Sequence, residues 1–117
     1  MRNYNMSKIS TITFTGKSAT KYDFDVYDIN TGWKDDVGVV YVVTKRYKKS
    51  YGKYYHDKIY IGRTEDLKER HSNHHQQDCF DSNSANCICI HMESNYQRQV
   101  DIETDLIQGN TTQCNDT

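Results

Sequence analysis

The chain predicts a small α/β domain: a mixed or antiparallel three-stranded central sheet flanked by helices, preceded by a β-like N-terminal extension. Three observations predict it. Residues 38–44 (GVVYVVT) are rich in β-branched side chains, the pattern of a strand buried on both faces. Two later segments carry helical start signals, one at Thr64 and one at Ser94. An apolar run at 87–92 lies between them, so the order is strand, strand, helix, strand, helix.

Each element has its own justification. Ile12 and Phe14 alternate with threonines in 9–15, and Tyr22, Phe24 and Val26 alternate with polar residues in 22–29. These two runs belong to an extension, residues 1–37, expected to pack on a domain formed by 38–117. Asn30-Thr31-Gly32 makes a turn, and Trp33 is expected on the outside. A second strand at 58–62 pairs with 38–44 as an antiparallel hairpin across a basic, tyrosine-rich loop, 45–57. Thr64 is the expected N-cap of a helix running to about His75, with Glu65 and Asp66 where the helix dipole favours anions. A polar loop, 76–86, leads to the third strand. Ser94 and Gln97 form a capping-box pattern for a helix to about Gln108, stopped by Gly109-Asn110.

With 117 residues the chain is expected to form one domain. No apolar run is long enough to cross a bilayer, and the polar first ten residues do not read as a leader, so a cytoplasmic protein is expected. Four cysteines (Cys79, Cys87, Cys89, Cys114) are then expected as free thiols. The formal net charge of −1 conceals a dipolar chain. Between Thr44 and His75 stand nine basic residues (Lys45, Arg46, Lys48, Lys49, Lys53, Lys58, Arg63, Lys68, Arg70) against four acids. Beyond them Arg98 faces seven acids. A local basic segment can hold a phosphate backbone on a neutral molecule. Lys45, Arg46, Lys48, Lys49, Lys53, Lys58 and Arg63 are therefore the candidate nucleic-acid contacts.

The chemistry-bearing residues cluster around the hairpin. Tyr41 shares a strand face with Val39 and Val43, and Tyr60 shares one with Lys58 and Gly62, so a suitable register brings two phenols together beside a bare glycine backbone. Buried tyrosine pairs also arise from core packing alone. Arg70 and His74, four apart, are expected on one helical face. There the arginine can clamp a phosphate, and the histidine can position water or move a proton. Such a pair also occurs as plain surface residues. Glu103 interrupts the stripe Tyr96, Val100, Ile107, and a carboxylate on such a stripe needs a partner: a surface lysine or a divalent metal. Asp101 and Asp105 point elsewhere and are expected in solvent. Asn115 offers an amide that could lie beside a phosphate.

Together, Tyr41, Tyr60-Ile61-Gly62, Arg70, His74, Glu103 and Asn115 resemble the pattern of the GIY-YIG nuclease family. The stretch YIGRTEDLKER (60–70) is its most specific part, and the likeness runs from Gly38 to Asn115. Val39-Val40-Tyr41 replaces Gly-Ile-Tyr, with Gly38 one position early. The resemblance implies endonucleolytic hydrolysis of DNA phosphodiesters, with RNA as an open alternative, and Mg²⁺ or Mn²⁺ on Glu103. It also implies Arg70 on a phosphate oxygen and Tyr41 as general base, assisted by Tyr60 or His74. No appended reader of base sequence is legible. Specificity is expected from the loop, the extension, a homodimer interface or a partner protein.

Two rivals come from other classes. Cys87, Cys89 and His91, with His71, His74, His75, Cys79 or Cys114, could build a structural zinc site, although Cys-x-Cys-x-His lacks the usual turn spacing. A non-catalytic nucleic-acid module would use the same basic loop, with Tyr47, Tyr51, Tyr54 and Tyr55 as stacking surfaces.

Overall fold

The computed structural model describes residues 8–33, 36–72 and 74–115, the side chain of Ser50 excepted. Its centre is a five-stranded antiparallel sheet, curled into a half-barrel, in the spatial order β1-β2-β5-β3-β4. The strands are β1 (Ser10–Thr15), β2 (Lys21–Asp28), β3 (Val39–Lys48), β4 (Tyr54–Thr64) and β5 (Cys87–Met92), joined by helices α1 (Leu67–Ser72), α2 (Gln77–Ser82) and α3 (Tyr96–Gly109). This corrects the expected three-stranded sheet flanked by helices. The two early runs join the sheet itself, because β2 pairs with β5 through Asp25–Ile90 and Val26–Cys89. Phe24 and Val26 are buried there, so their alternation reports one face of a central sheet.

Two apolar layers sandwich the sheet. On one face Phe14, Phe24, Val26, Val40, Val42, Ile61, Cys87 and Cys89 meet Ile102 and Leu106 of α3. On the other, Val39, Tyr41, Val43, Ile59, Ile88 and Ile90 meet Leu67 of α1 and Phe80 of α2. Trp33 belongs to this second layer, 5.1 Å from the Tyr27 ring, and is not on the outside. The buried stripe of α3 is Gln99, Ile102 and Leu106. Tyr96 and Ile107 are exposed, so the Tyr96–Ile107 stripe lies beside the contact face and Glu103 borders it.

The hairpin is longer than expected. β3 and β4 stay paired from Val39–Thr64 out to Lys48–Tyr54, so most of the basic loop is strand. The register shifts between Val43 and Thr44, where Ile59 is the extra residue. That bulge moves Lys58 to the α3 face, opposite Thr44, and off the Tyr60 face.

The first helix is also shorter. Asp66 Oδ1 accepts the Glu69 N–H (2.9 Å), α1 stops at Ser72, and α2 occupies part of the expected polar loop. The second long helix is capped by Asn95, whose side chain accepts the Arg98 N–H, rather than by Ser94. Asp105 is not simply solvated. Its carboxylate accepts from Ser18 N–H, Ser18 Oγ and Tyr22 Oη, tying the β1–β2 turn to α3. Cys79 and Cys114 form a disulfide, which corrects the expectation of four free thiols and leaves Cys87 and Cys89 buried and reduced.

Candidate active site

The register sets Tyr41 opposite Gly62 and Val43 opposite Tyr60. A Cβ on Gly62 would fall 2.7 Å from Tyr41 Oη and 2.7 Å from a Tyr60 ring carbon. Glycine is therefore what lets the two phenols converge, with ring centroids 6.0 Å apart. Tyr41 is buried and Tyr60 half-buried, and Phe80 backs Tyr60 at 5.5 Å.

His74 lies in the turn after α1, so it does not share a continuous helical face with Arg70. The turn brings its ring 4.9 Å from Tyr60 and 4.6 Å from Phe80. Gln76 N–H donates to His74 Nδ1 at 3.0 Å. The neutral imidazole therefore carries its proton on Nε2, which donates to Tyr41 Oη at 2.7 Å. Burial, followed by the nearby His75, Arg70 and His71, holds the His74 pKa down to about 4. Near neutrality the ring is an uncharged donor to the phenol. Burial first, and then the Tyr60 hydroxyl and Glu103, push the Tyr41 phenol above its ordinary value, while Arg70 opposes them. Tyr60 is raised by burial and by Glu103.

Glu103, on α3, is near enough to Tyr41 and Tyr60 to act on both electrostatically. Burial raises its pKa, opposed by Arg63 and Arg70. Among the described residues this half-buried carboxylate accepts no hydrogen bond. Arg63 and Arg70 offset its charge from a distance, and its oxygens stay open to a divalent cation completed by water and phosphate oxygens. No group of three or more His, Cys, Asp or Glu capable of holding a metal is found among the described residues. Cys87 and Cys89 lie in the α3-side core while Cys79 and Cys114 are bonded to each other, so the four sulfurs do not converge on zinc.

The remaining candidates separate into two groups. Arg63 leans on α3: it donates to Gln99 Oε1 (3.3 Å) and lies 4.5 Å from the Tyr96 ring centroid. Lys58 donates to Asn110 Oδ1 at 2.8 Å. Lys45, Arg46, Lys48, Lys49 and Lys53 line the outer hairpin. Asn115 sits beside β4, where its amide accepts Ile61 N–H (2.7 Å) and donates to Ile61 C=O (2.8 Å). It braces the backbone between Tyr60 and Gly62, with both amide ends engaged.

Sequence reasoning missed Gln99, Phe80 and the Cys79–Cys114 link, and gave no role to Gly38. Gln99 is fully buried, holds Arg63, and donates to Glu93 C=O at 2.7 Å. Its spacing with Ile102 and Leu106 was the available signal. A Cβ at Gly38 would come within 2.6 Å of Gln99 Nε2, so that displaced glycine clears α3. Phe80 and Cys79 lay in a segment too polar to suggest a core, and Cys114, 35 residues on, gave no sign of pairing with it. Beside Tyr41 a cavity of about 350 Å³ is lined by Val43, Leu67, Arg70, His71, His74 and Ile88 among others. Compared with known proteins, the chain matches no family model, no curated protein and no solved structure.

Proposed function

We propose that this protein is a metal-dependent endonuclease that hydrolyses DNA phosphodiesters with a site of the GIY-YIG kind. The observation that carries the proposal is the meeting of two phenols over Gly62 with Arg70 and a half-buried carboxylate, which accepts no hydrogen bond among the described residues, in the same electrostatic neighbourhood. Core packing alone explains the tyrosines, but it gives no reason to bury Glu103 without a hydrogen bond. Glu103 would hold Mg²⁺ or Mn²⁺, which when bound supplies Lewis-acid polarisation of the phosphate. Arg70 binds a non-bridging oxygen and offsets charge that develops there. Tyr41 is the general base towards water, and the His74 Nε2–H bond steadies its oxygen as the proton is taken up and released. Because burial and Glu103 both hold the Tyr41 proton on, Tyr41 would act as a base only as the phenolate, after releasing its proton to solvent when added positive charge offsets them.

The test is nicking of supercoiled plasmid with Mg²⁺ or Mn²⁺ by the wild type, Glu103→Ala and Arg70→Ala. The wild type is expected to nick and both variants to be inert. Equal cutting by all three would sink the site. A second reading, a non-catalytic DNA-binding module, is favoured by the exposed outer hairpin; DNA retained by a wild type that never cuts would put it ahead. RNA is the competing substrate. Specificity would come from the hairpin, a homodimer or a partner protein.

No helix among the described residues is long and apolar enough to cross a membrane. We propose a cytoplasmic location, in which the Cys79–Cys114 link would be redox-responsive.

A further inference from the structure

The outer hairpin combines three observations that the cleavage chemistry does not use. First, between Lys45 and Lys53 the chain carries Lys45, Arg46, Lys48, Lys49 and Lys53 and no acid. Second, most of the aromatic faces there are occupied. The Arg46 guanidinium lies 3.7 Å from the Tyr54 ring centroid, Lys49 Nζ lies 4.7 Å from the Tyr55 centroid, and Tyr47 stacks on Tyr55 at 6.1 Å. These contacts stiffen the arm and hold its cations along both faces. Third, Tyr51 at the tip is 99 % exposed, and among the described residues no ring or cation lies against it.

Tyr51 is held out rather than left loose. Its φ is 75°, a left-handed conformation unfavourable for an aromatic residue, beside Gly52 at 77°. Lys49 N–H donates to Lys53 C=O (2.9 Å), and Gly52 N–H donates to Lys49 C=O (3.1 Å), closing the turn. A strained, hydrogen-bonded turn that presents a bare phenol ring between cations is a stacking platform for a nucleobase. Paired bases within a duplex keep their faces covered, so an available face implies an unpaired or terminal base.

We infer that Tyr51 stacks on an unpaired base where duplex DNA meets single strand, and that forked or flapped DNA is the substrate class. The inference rests on the nuclease reading for the word substrate, but not for the stacking. Tyr41 and Tyr47 lie on one sheet face by register, so a nucleic acid on the site passes the stacked Tyr47–Tyr55 pair on its way to the tip. From Tyr41 to Lys48 the strand rises roughly 23 Å, which corresponds to about seven base pairs of duplex. Tyr51 lies beyond Lys48, so the cut is expected about seven or more nucleotides from the branch.

The experiment is fluorescence anisotropy in EDTA with a labelled fork and a blunt duplex of equal length, using the wild type, Tyr51→Ala and Tyr51→Phe. Stacking predicts that Tyr51→Ala loses about 5- to 150-fold in fork affinity while duplex affinity holds. Tyr51→Phe, which keeps the ring, should stay within about twofold of the wild type. A Tyr51→Ala protein that binds the fork as tightly as the wild type overturns the inference, as does equal weakening on both DNAs. Because no cleavage is needed, a fork preference that depends on Tyr51 in a protein that never cuts would defeat the nuclease reading alone. With Mg²⁺ or Mn²⁺ added, cuts whose position ignores the branch would defeat the spacing.

Discussion

The two halves of the β3–β4 hairpin are built to opposite specifications. Inside the bulge, Val39 to Val43 are almost fully buried, and the facing strand places Tyr60 and Gly62 against them. Outside it, Lys45 and Lys48 are exposed, Arg46 and Tyr47 half-exposed, and the turn ends in Tyr51. One antiparallel hairpin thus carries a buried half that holds its side chains by packing and an exposed half that presents charge. Reaction chemistry needs the first condition, because hydrogen bonds and charges act strongly where water is excluded. Recognition of a polyanion needs the second, because phosphates remain hydrated. The irregularity between Val43 and Thr44 is the boundary.

Changes in the two halves should therefore have separable effects, and the largest lies in the inner half. Removing Arg70 is expected to cost plasmid nicking about 100-fold or more, as for loss of one charge-stabilising group, while DNA affinity changes little. Affinity falling in step with cleavage would erase the division of labour. Cys79→Ser with Cys114→Ser opens a loop of sequence separation 35. Its loss should lower unfolding free energy by about 3–4 kcal/mol on a chain-entropy basis, read by urea denaturation with and without reductant. Asn115→Ala, which strips two backbone partners from Ile61, should cost about 1–2 kcal/mol and loosen Tyr60 enough to slow nicking.

Glu103 supplies a sign test. Burial raises its pKa, so its charged form is disfavoured in the folded protein and penalises stability as pH rises above the ordinary carboxylate range. Glu103→Gln is expected to raise the thermal midpoint at pH 7 while abolishing nicking. A lower midpoint would mean that the carboxylate is a structural partner. His74 works the other way on the pH axis. Its folded pKa of about 4 lies below the ordinary 6.5, so the unfolded chain binds the proton first and stability declines as pH falls from about 6.5 towards 4. His74→Gln should flatten part of that decline, and an unchanged pH profile would place the titration elsewhere. The smallest effect belongs to the outer half: Lys48→Ala with Lys49→Ala should reduce the salt slope of DNA binding by about two and leave the midpoint unmoved.

Much of the site was legible because it is local. The alternation of Val39, Tyr41 and Val43, and the adjacency of Tyr60 and Gly62, fix which side chains share a sheet face whatever else the fold does. Arg70 and Glu103 were legible as charges that need partners. The rest depended on partners distant in sequence. Nothing in 22–28 says that β2 will pair with β5, since its alternation fits any half-buried strand, and so two sheet strands looked like an extension. The stripe on α3 was misjudged because Gln99 is polar by type yet satisfied by Arg63 and Glu93 once folded. His74 left the expected helix because its own ring nitrogen holds the Gln76 N–H in the next turn.

By itself, then, the sequence determined the alternation within its β-like runs, the long last helix, the basic composition of the arm and the residues worth testing as a site. These follow from side-chain periodicity and local charge. Only the tertiary structure decided the five-strand order, the bulge that sends Lys58 and Tyr60 to opposite faces, the Cys79–Cys114 link, the His74 tautomer and the engagement of Asn115 with Ile61. Each of those depends on which distant groups come within a few ångströms, and hydrogen bonds, disulfides and burial act only at that range.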